Sequence, residues 1–208
     1  PLVIVSIFVN PLQFGPNEDF NKYPRDLKHD IEIASNSGAD AIWAPALKDV
    51  FPGGPLVNFA IQAPKTLQST LCGPIRKGHF DGVATVIFHL LRNVKPSFLI
   101  LGEKDWQQFV IIKKLIKDWD LPIKIIGVPT IRDIDELAFS SRNQYLSKSE
   151  REKSLALPYA LAKAAQDAKH GRIPNLNNLR SFLESKDLEV DYLEIVDPHE
   201  LKPIKSNR

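Results

Sequence analysis

Residues 102–105 read Gly-Glu-Lys-Asp and follow directly on the apolar run Phe98–Leu101. Gly102 lets the backbone approach a ligand closely. The amides after it open a helix, whose positive end favours phosphate. Lys104 adds a compact cation with three donors, suited to phosphate oxygens. Asp105 can accept from a ribose hydroxyl or cap the helix. The same four residues also fit a solvated, capped helix start. Ser140-Ser141-Arg142-Asn143 offers two hydroxyls and a guanidinium, a donor set that could clamp a polyphosphate. It also fits a serine turn leading to the capping box Ser147–Glu150. Gln13 and Gln108 each carry a donor and an acceptor on one amide, which matches hydroxyl groups better than charge does. Asn10 shares the loop of Gln13, where Asn10-Pro11 also reads as a plain turn, and Gln108 also reads as an exposed helix position.

Other candidates are weaker. His79 stands alone in Arg76-Lys77-Gly78-His79-Phe80, with no second histidine at metal-ligand spacing. It reads as a hydrogen-bonded loop residue, and Arg76 as an anion contact or a surface cation. Glu18, Asp19, Asp26 and Asp30 could touch Mg²⁺, although dispersed acids are usually solvated surface. Trp43, Trp106 and Trp119 fall in separate elements and form no stacking stripe for single-stranded nucleic acid.

These residues need elements to position them. Val3–Val9 is a β-branched, aromatic run ending at the turn signal Asn10-Pro11. Residues 26–38 carry Leu27, Ile31 and Ala34 at helical spacing and end on a capping glycine, Gly38. Ala41–Ala44 is a short apolar run, and 51–80 reads as loop with one short hairpin near 58–63. Helix is expected over 82–94, strand over 97–101, helix over 105–119 and strand over 123–128. Continuous apolar strands alternating with helices predict a parallel sheet covered on both faces. Ligands then bind at the carboxyl ends of the strands, where Asn10–Gln13, Gly102–Gln108 and the loop before Ser140 all fall. After Pro129 the character changes: 130–147 is polar and irregular, 148–169 reads as one helix and 190–196 as one strand. A domain boundary is therefore expected near 129.

Bulk properties narrow the class. The 208 residues are 43% hydrophobic and 25% charged with net charge +2, so nothing points to nucleic acid or an anionic membrane as a partner. A single cysteine, Cys72, argues against a disulfide framework or a cysteine-rich metal site. No apolar run is long enough to span a membrane, and cytoplasm is the expected compartment. With no methionine and an opening inside an apolar run, the chain is expected to be a piece of something longer.

Five stretches occur in an informative order: Ser6–Phe20 with Asn-Pro-Leu-Gln, Arg76–Val86, Gly102–Gln108, Val128–Asp133 and Leu137–Ser147. Together they closely resemble the pantothenate synthetase (pantoate–β-alanine ligase) family, over about residues 2–150 and more loosely through 190–198. The resemblance implies an α/β fold: a Rossmann-like nucleotidyltransferase (HUP-type) parallel sheet over 1–129, with a smaller C-terminal α+β lid domain over 130–208. It implies joining of pantoate to β-alanine with ATP and Mg²⁺ through a pantoyl adenylate, in coenzyme A biosynthesis, by a homodimer. Carried over by residue, it assigns ATP to Gly102, Glu103, Lys104, Asp105, Ile131, Phe139, Ser140, Ser141 and Arg142. Of these, Lys104, Ser140, Ser141 and Arg142 would act in catalysis. Gln13 and Gln108 would bind pantoate, and Gln13 with Asn10 would bind β-alanine. No metal ligand is assigned. Cys72 replaces a glutamate that many members carry, read as a permitted variant with a lost polar contact. Phe139 stands where methionine or leucine is commoner. The family's H-x-G-H segment, with its catalytic histidine and first strand, does not occur in these residues, and the C-terminal part also reads as shortened. A nucleotidyltransferase that adenylates a phosphate, or a catalytically silent nucleotide-binding fragment, are the alternative functions.

Overall fold

A computed structural model describes residues 2–16, 18–54 and 60–204. In chain order the elements are β1 Ile4–Ser6, α1 Leu27–Asn36, β2 Ala41–Trp43, α2 Leu47–Val50, α3 Lys65–Gln68, α4 His79–Val94, β3 Phe98–Gly102, α5 Trp106–Asp118, β4 Lys124–Val128, α6 Lys148–Ser154, α7 Ala156–Lys169 and α8 Leu176–Glu184. Short 3-10 turns lie at Pro11–Gln13, Glu103–Asp105 and Ser141–Tyr145. Close contacts group the chain into two compact units, Pro1–Ala63 with Arg76–Pro96, and Pro64–Ile75 with Ser97–Arg208.

In the first unit β1 and β2 run parallel, with Val5 opposite Ile42. Asp26 caps α1 by accepting from the amide of His29, and the helix runs out at Gly38, whose φ of +89° a glycine adopts without strain. Helix α4 supplies most of the core through Phe80, Val83, Ala84 and Leu91, joined by Val50 and Phe51. It ends at Lys95 because Pro96 disfavours helical backbone in the residue before it.

In the second unit β3 and β4 form a parallel five-residue ladder from Phe98↔Lys124 to Gly102↔Val128. Helix α5 buries Phe109–Ile112, Leu115 and Ile116. A separate cluster of Ala156, Ala160 and Leu183 joins α7 to α8, with Phe182, Leu188, Val190 and Leu193 packed around it.

Several expectations change. The described strands pair as β1–β2 and β3–β4, and their apolar residues alternate in exposure, so they are not covered on both faces. Phe98 and Ile100 are 51% and 60% exposed. A two-stranded ladder has one row of side chains that α5 does not reach. The helix expected over 148–169 breaks at Leu155, because Pro158 has no N–H to donate to the preceding turn. The period-2 pattern at 190–196 forms no strand. Val190 and Leu193 go into the α7–α8 cluster, and only Val196 makes a bridge, to Pro203. Two short helical turns, α2 and α3, and the longer α8 arise where no helix was expected. Of the hairpin expected near 58–63, residues 58 and 59 lie outside the described part, and 60–63 contain no strand.

Candidate active site

The loop after β1 is built around Asn10, only 2% exposed. Its Oδ1 accepts from the amide of Leu12 at 3.2 Å, which shapes the turn Pro11–Gln13. Its Nδ2 donates to Gln13 Oε1 at 2.9 Å and to the carbonyl of Gly82, in α4, at 3.0 Å. Gly82 must be a glycine for this seating, since a Cβ there would lie 2.2 Å from the carbonyl oxygen of Leu12. The plain-turn alternative for Asn10 therefore gives way to a buried anchor that also orients the Gln13 side chain. Among the described residues Gln13 Nε2 has no hydrogen-bond acceptor, so its donors are directed to a ligand or water.

The backbone of Gln13 is held as firmly. His79 Nδ1 lies 2.7 Å from its carbonyl and so must donate, leaving Nε2 to accept from the Arg76 guanidinium at 3.1 Å. Arg76 also reaches the Gln13 carbonyl and binds Glu18 through two hydrogen bonds of 3.0 and 2.9 Å. That pairing holds the Glu18 carboxyl below its usual pKa, with partial burial opposing. Arg76 and Glu18 are thus partners in this brace, and Asp26 is a helix cap. Among the described residues no group of three His, Cys, Asp or Glu side chains could hold a metal.

In the second unit, Gly102 ends β3 with an ordinary extended conformation, φ −73°, and no heavy atom lies within 4 Å of where its Cβ would be. Neither conformation nor packing within the described chain calls for a glycine here. The space beside it is open to a ligand. Glu103–Asp105 form a 3-10 turn before α5. Asp105 makes no side-chain cap to α5 but lies 3.6 Å from Lys104 Nζ, both side chains well exposed. The capping alternative for Asp105 is therefore set aside. Glu103 folds across β4, where a Cβ on Gly127 would come within 2.5 Å of its carboxylate.

Gln107 and Gln108 divide their roles. Gln107 is 6% exposed. Its Nε2 donates to the carbonyls of Leu67 and Thr70 at 2.8 Å each, and its Oε1 accepts from the amide and thiol of Cys72. Cys72 thereby has polar contacts, where the resemblance had implied a lost one. Gln108 is half-buried and finds no amide partner among the described residues.

The third piece is a hairpin. Arg132 bridges Ala138, Asp133 N donates to the carbonyl of Leu137, and Phe139 N to that of Ile131 at 2.9 Å. This pairs Ile131 with Phe139, which are 63% and 60% exposed. Ser140 follows and its hydroxyl accepts from the amide of Arg142 at 3.2 Å. Asn143 Nδ2 returns to the carbonyl of Ala138. The serine turn and the Ser147–Glu150 capping box both form. They are compatible with an anion site, because they shape the loop that carries Ser141 and Arg142. Arg151 of α6 reaches back to Asp133 and Asp135. Sequence reasoning missed Arg151 and Gln107 as parts of the site. Each works through contacts that single-residue chemistry does not reveal, although Gln107 beside Gln108 marked a polar pair just ahead of the apolar run Phe109–Ile112.

Comparison with known proteins agrees. A profile of the pantoate-beta-alanine ligase family matches residues 1–208. Bifunctional pantoate ligase/cytidylate kinases from Prochlorococcus marinus (strain MIT 9303) and Synechococcus sp. (strain CC9311) are 54% and 48% identical over 99% of this chain. The chain spans 42% of the length of each. Pantothenate synthetase from Thermus thermophilus superposes with a TM-score of 0.90 at 38% identity, covering 98% of this chain and 74% of that one. The pantoate-beta-alanine ligase from Francisella tularensis, solved with beta-gamma ATP and beta-alanine, gives 0.83 at 37% identity, over 95% and 72%. The fold is the HUP-type nucleotidyltransferase α/β fold of these enzymes, and the chain belongs to the pantoate–β-alanine ligase family.

Proposed function

We propose that this chain carries, within its full-length protein, the ATP-dependent condensation of pantoate with β-alanine to pantothenate, releasing AMP and pyrophosphate through a pantoyl adenylate. The observation that carries the reading is one hairpin and turn. It presents an exposed apolar pair, Ile131 and Phe139, immediately ahead of the ordered donors of Ser140–Arg142. An apolar lid for a base followed by donors for phosphates is what a nucleotide requires.

A carboxylate resists attack by an amine because it is anionic and its oxygen leaves poorly. Transfer of AMP to pantoate removes both obstacles. Lys104, Ser140, Ser141 and Arg142 would stabilise charge on the triphosphate as pyrophosphate departs, and one such preorganised donor contributes about 2.7–4 kcal/mol. Gly102 would give the backbone room to approach the nucleotide, and Asp105 would accept from the ribose. Gln13 and Gln108 would bind the hydroxyls of pantoate. Gln13 would help place β-alanine, with Asn10 acting through its hold on Gln13, and the attack gains from orientation on the scale of about 10⁵–10⁸ M effective molarity. Magnesium would enter with the triphosphate and would offset part of its charge, with no side chain here assigned to it. A two-domain division near 129, a homodimer and a cytoplasmic location complete the reading. The histidine that the family uses in catalysis lies outside these residues, so no proton transfer is assigned to the present side chains.

The test uses the full-length protein. Lys104→Ala should slow pyrophosphate release from ATP and pantoate at least about 100-fold. Gln108→Ala should raise the KM for pantoate far more than that for ATP. Pyrophosphate release that is absent in the unaltered protein, or independent of pantoate, overturns the reading.

A further inference from the structure

Arg151 has no assigned part in the chemistry, yet it makes three hydrogen bonds to two carboxylates. Nε donates to Asp135 Oδ2 at 2.8 Å, and one terminal nitrogen donates to Asp133 Oδ2 at 2.7 Å and Asp135 Oδ1 at 3.0 Å. Asp135 Oδ1 also accepts from the amide of Leu137, which ties the same carboxylate to the hairpin backbone. All three side chains are about one-third exposed, at 33% and 31%.

We propose that Arg151, Asp133 and Asp135 form a positioning set that holds the Ser140–Arg142 turn in shape for a triphosphate. This role rests on the ATP reading above. The clamp joins the tip of the 131–139 hairpin to the first turns of α6, and so closes the segment from Asp135 to Arg151 into a loop. Ser140, Ser141 and Arg142 lie inside that loop. Other described ties run within the loop, among them Asn143 to the carbonyl of Ala138, Gln144 to that of Ser141, and the capping box that fixes where α6 starts. Without Arg151 the loop would lose its only described side-chain tie between hairpin and helix.

A single exposed ion pair contributes little. A guanidinium bridging two carboxylates differs, since its planar fork fixes direction as well as charge, and a lysine cannot reproduce it. The charge also matters for the ligand. Asp133 and Asp135 sit in the hairpin that leads to Ser140, and without Arg151 both would stand uncompensated there. They would repel a triphosphate and compete with it for Arg142.

The experiment compares Arg151→Ala, Arg151→Lys and Asp135→Asn in the full-length protein. The KM for ATP and for pantoate is measured by pyrophosphate release, with amide hydrogen exchange followed over residues 140–146. Arg151→Ala should raise the KM for ATP at least about tenfold, as expected for residues coupled in one network. The KM for pantoate should stay within about twofold, the range of a distant surface change. Exchange over 140–146 should rise at least about tenfold. Arg151→Lys should retain most of the ATP defect, and Asp135→Asn should share its direction. Parallel rises in both KM values, or unchanged exchange over 140–146, overturn the proposal. If Arg151→Ala does not fold, the ATP-against-pantoate split in Asp135→Asn decides. An unaltered protein that releases no pyrophosphate from ATP and pantoate overturns the functional reading, and this role with it.

Discussion

Replacing Gly82 by alanine tests how the loop after β1 is seated. By helix propensity alone the change should help, since alanine in a helix interior is favoured over glycine by about 1 kcal/mol. Geometry opposes it. The new Cβ would lie 2.2 Å from the carbonyl oxygen of Leu12, 2.5 Å from its carbon and 2.9 Å from its Cβ. Ordinary contacts are about 3.5–4.0 Å, so loop and helix must part by more than about 1 Å. Both sides are backbone, and overpacking of this kind costs about 1–3 kcal/mol. The separation also stretches the 3.0 Å bond from Asn10 Nδ2 to the Gly82 carbonyl. Loss of a partner for such a buried group costs about 1–3 kcal/mol. The balance is a destabilisation of about 1–5 kcal/mol, or roughly 2–4 °C in Tm for each kcal/mol at this size. A displacement near 1 Å at Gln13 should also slow the reaction with pantoate by up to about 100-fold. Thermal unfolding and pyrophosphate release across pantoate concentrations measure both effects. An unchanged or raised Tm with a normal KM for pantoate would refute the reasoning.

Three further outcomes follow from single residues. Gly102→Ala meets open space and ordinary backbone; its Tm should move by no more than about 2 °C, while ATP affinity falls at least about tenfold, measured by calorimetric titration. Glu136 holds φ +69° without being glycine, and Glu136→Gly should raise stability by about 0.5–1 kcal/mol, read by denaturant unfolding. The Glu18 carboxyl is held below its usual value of 4.5 by Arg76, so the stability from this pair is full above that value and is lost as pH falls through the lower folded one. Glu18→Gln should be less stable at pH 7 and approach the unaltered protein in acid; equal pH slopes of unfolding free energy for both proteins would contradict the pairing.

The legible parts of the fold were those governed by local chemistry. Asp26 and Gly38 bracket a helix because capping and a left-handed turn act within a few residues. Pro96 ends α4 for the same kind of reason. What sequence could not show depended on partners distant in the chain. The alternating residues of 190–196 looked like a strand, but among the described residues they pair only in the bridge from Val196 to Pro203, and Val190 and Leu193 pack around the α7–α8 cluster instead. Likewise Phe98–Leu101 read as a run buried on both faces, although a strand's burial is set by what is stacked over the sheet, which its own residues do not encode.

The site shows the same division at finer scale. Gln107 and Gln108 are chemically identical neighbours, and composition assigns neither a direction. On a helix they are separated by about 100°, enough to send one amide inward and leave the other available. Gln107 turns to the carbonyls of Leu67 and Thr70 and to Cys72, which uses both ends of its amide. A side chain so engaged cannot also bind a substrate hydroxyl without giving up buried partners. Gln108 has no such partners among the described residues and is the one left available to a ligand, in keeping with the pantoate contact proposed for it. The adjacent glutamine is then what fixes the start of α5 against the 67–72 turn, so Gln108 is carried on a helix that cannot easily rotate. The same logic holds at Asn10 and Gln13. In each pair the engaged polar residue fixes the backbone that carries its less engaged counterpart, and for that reason the rigid member was the harder one to recognise from residue type.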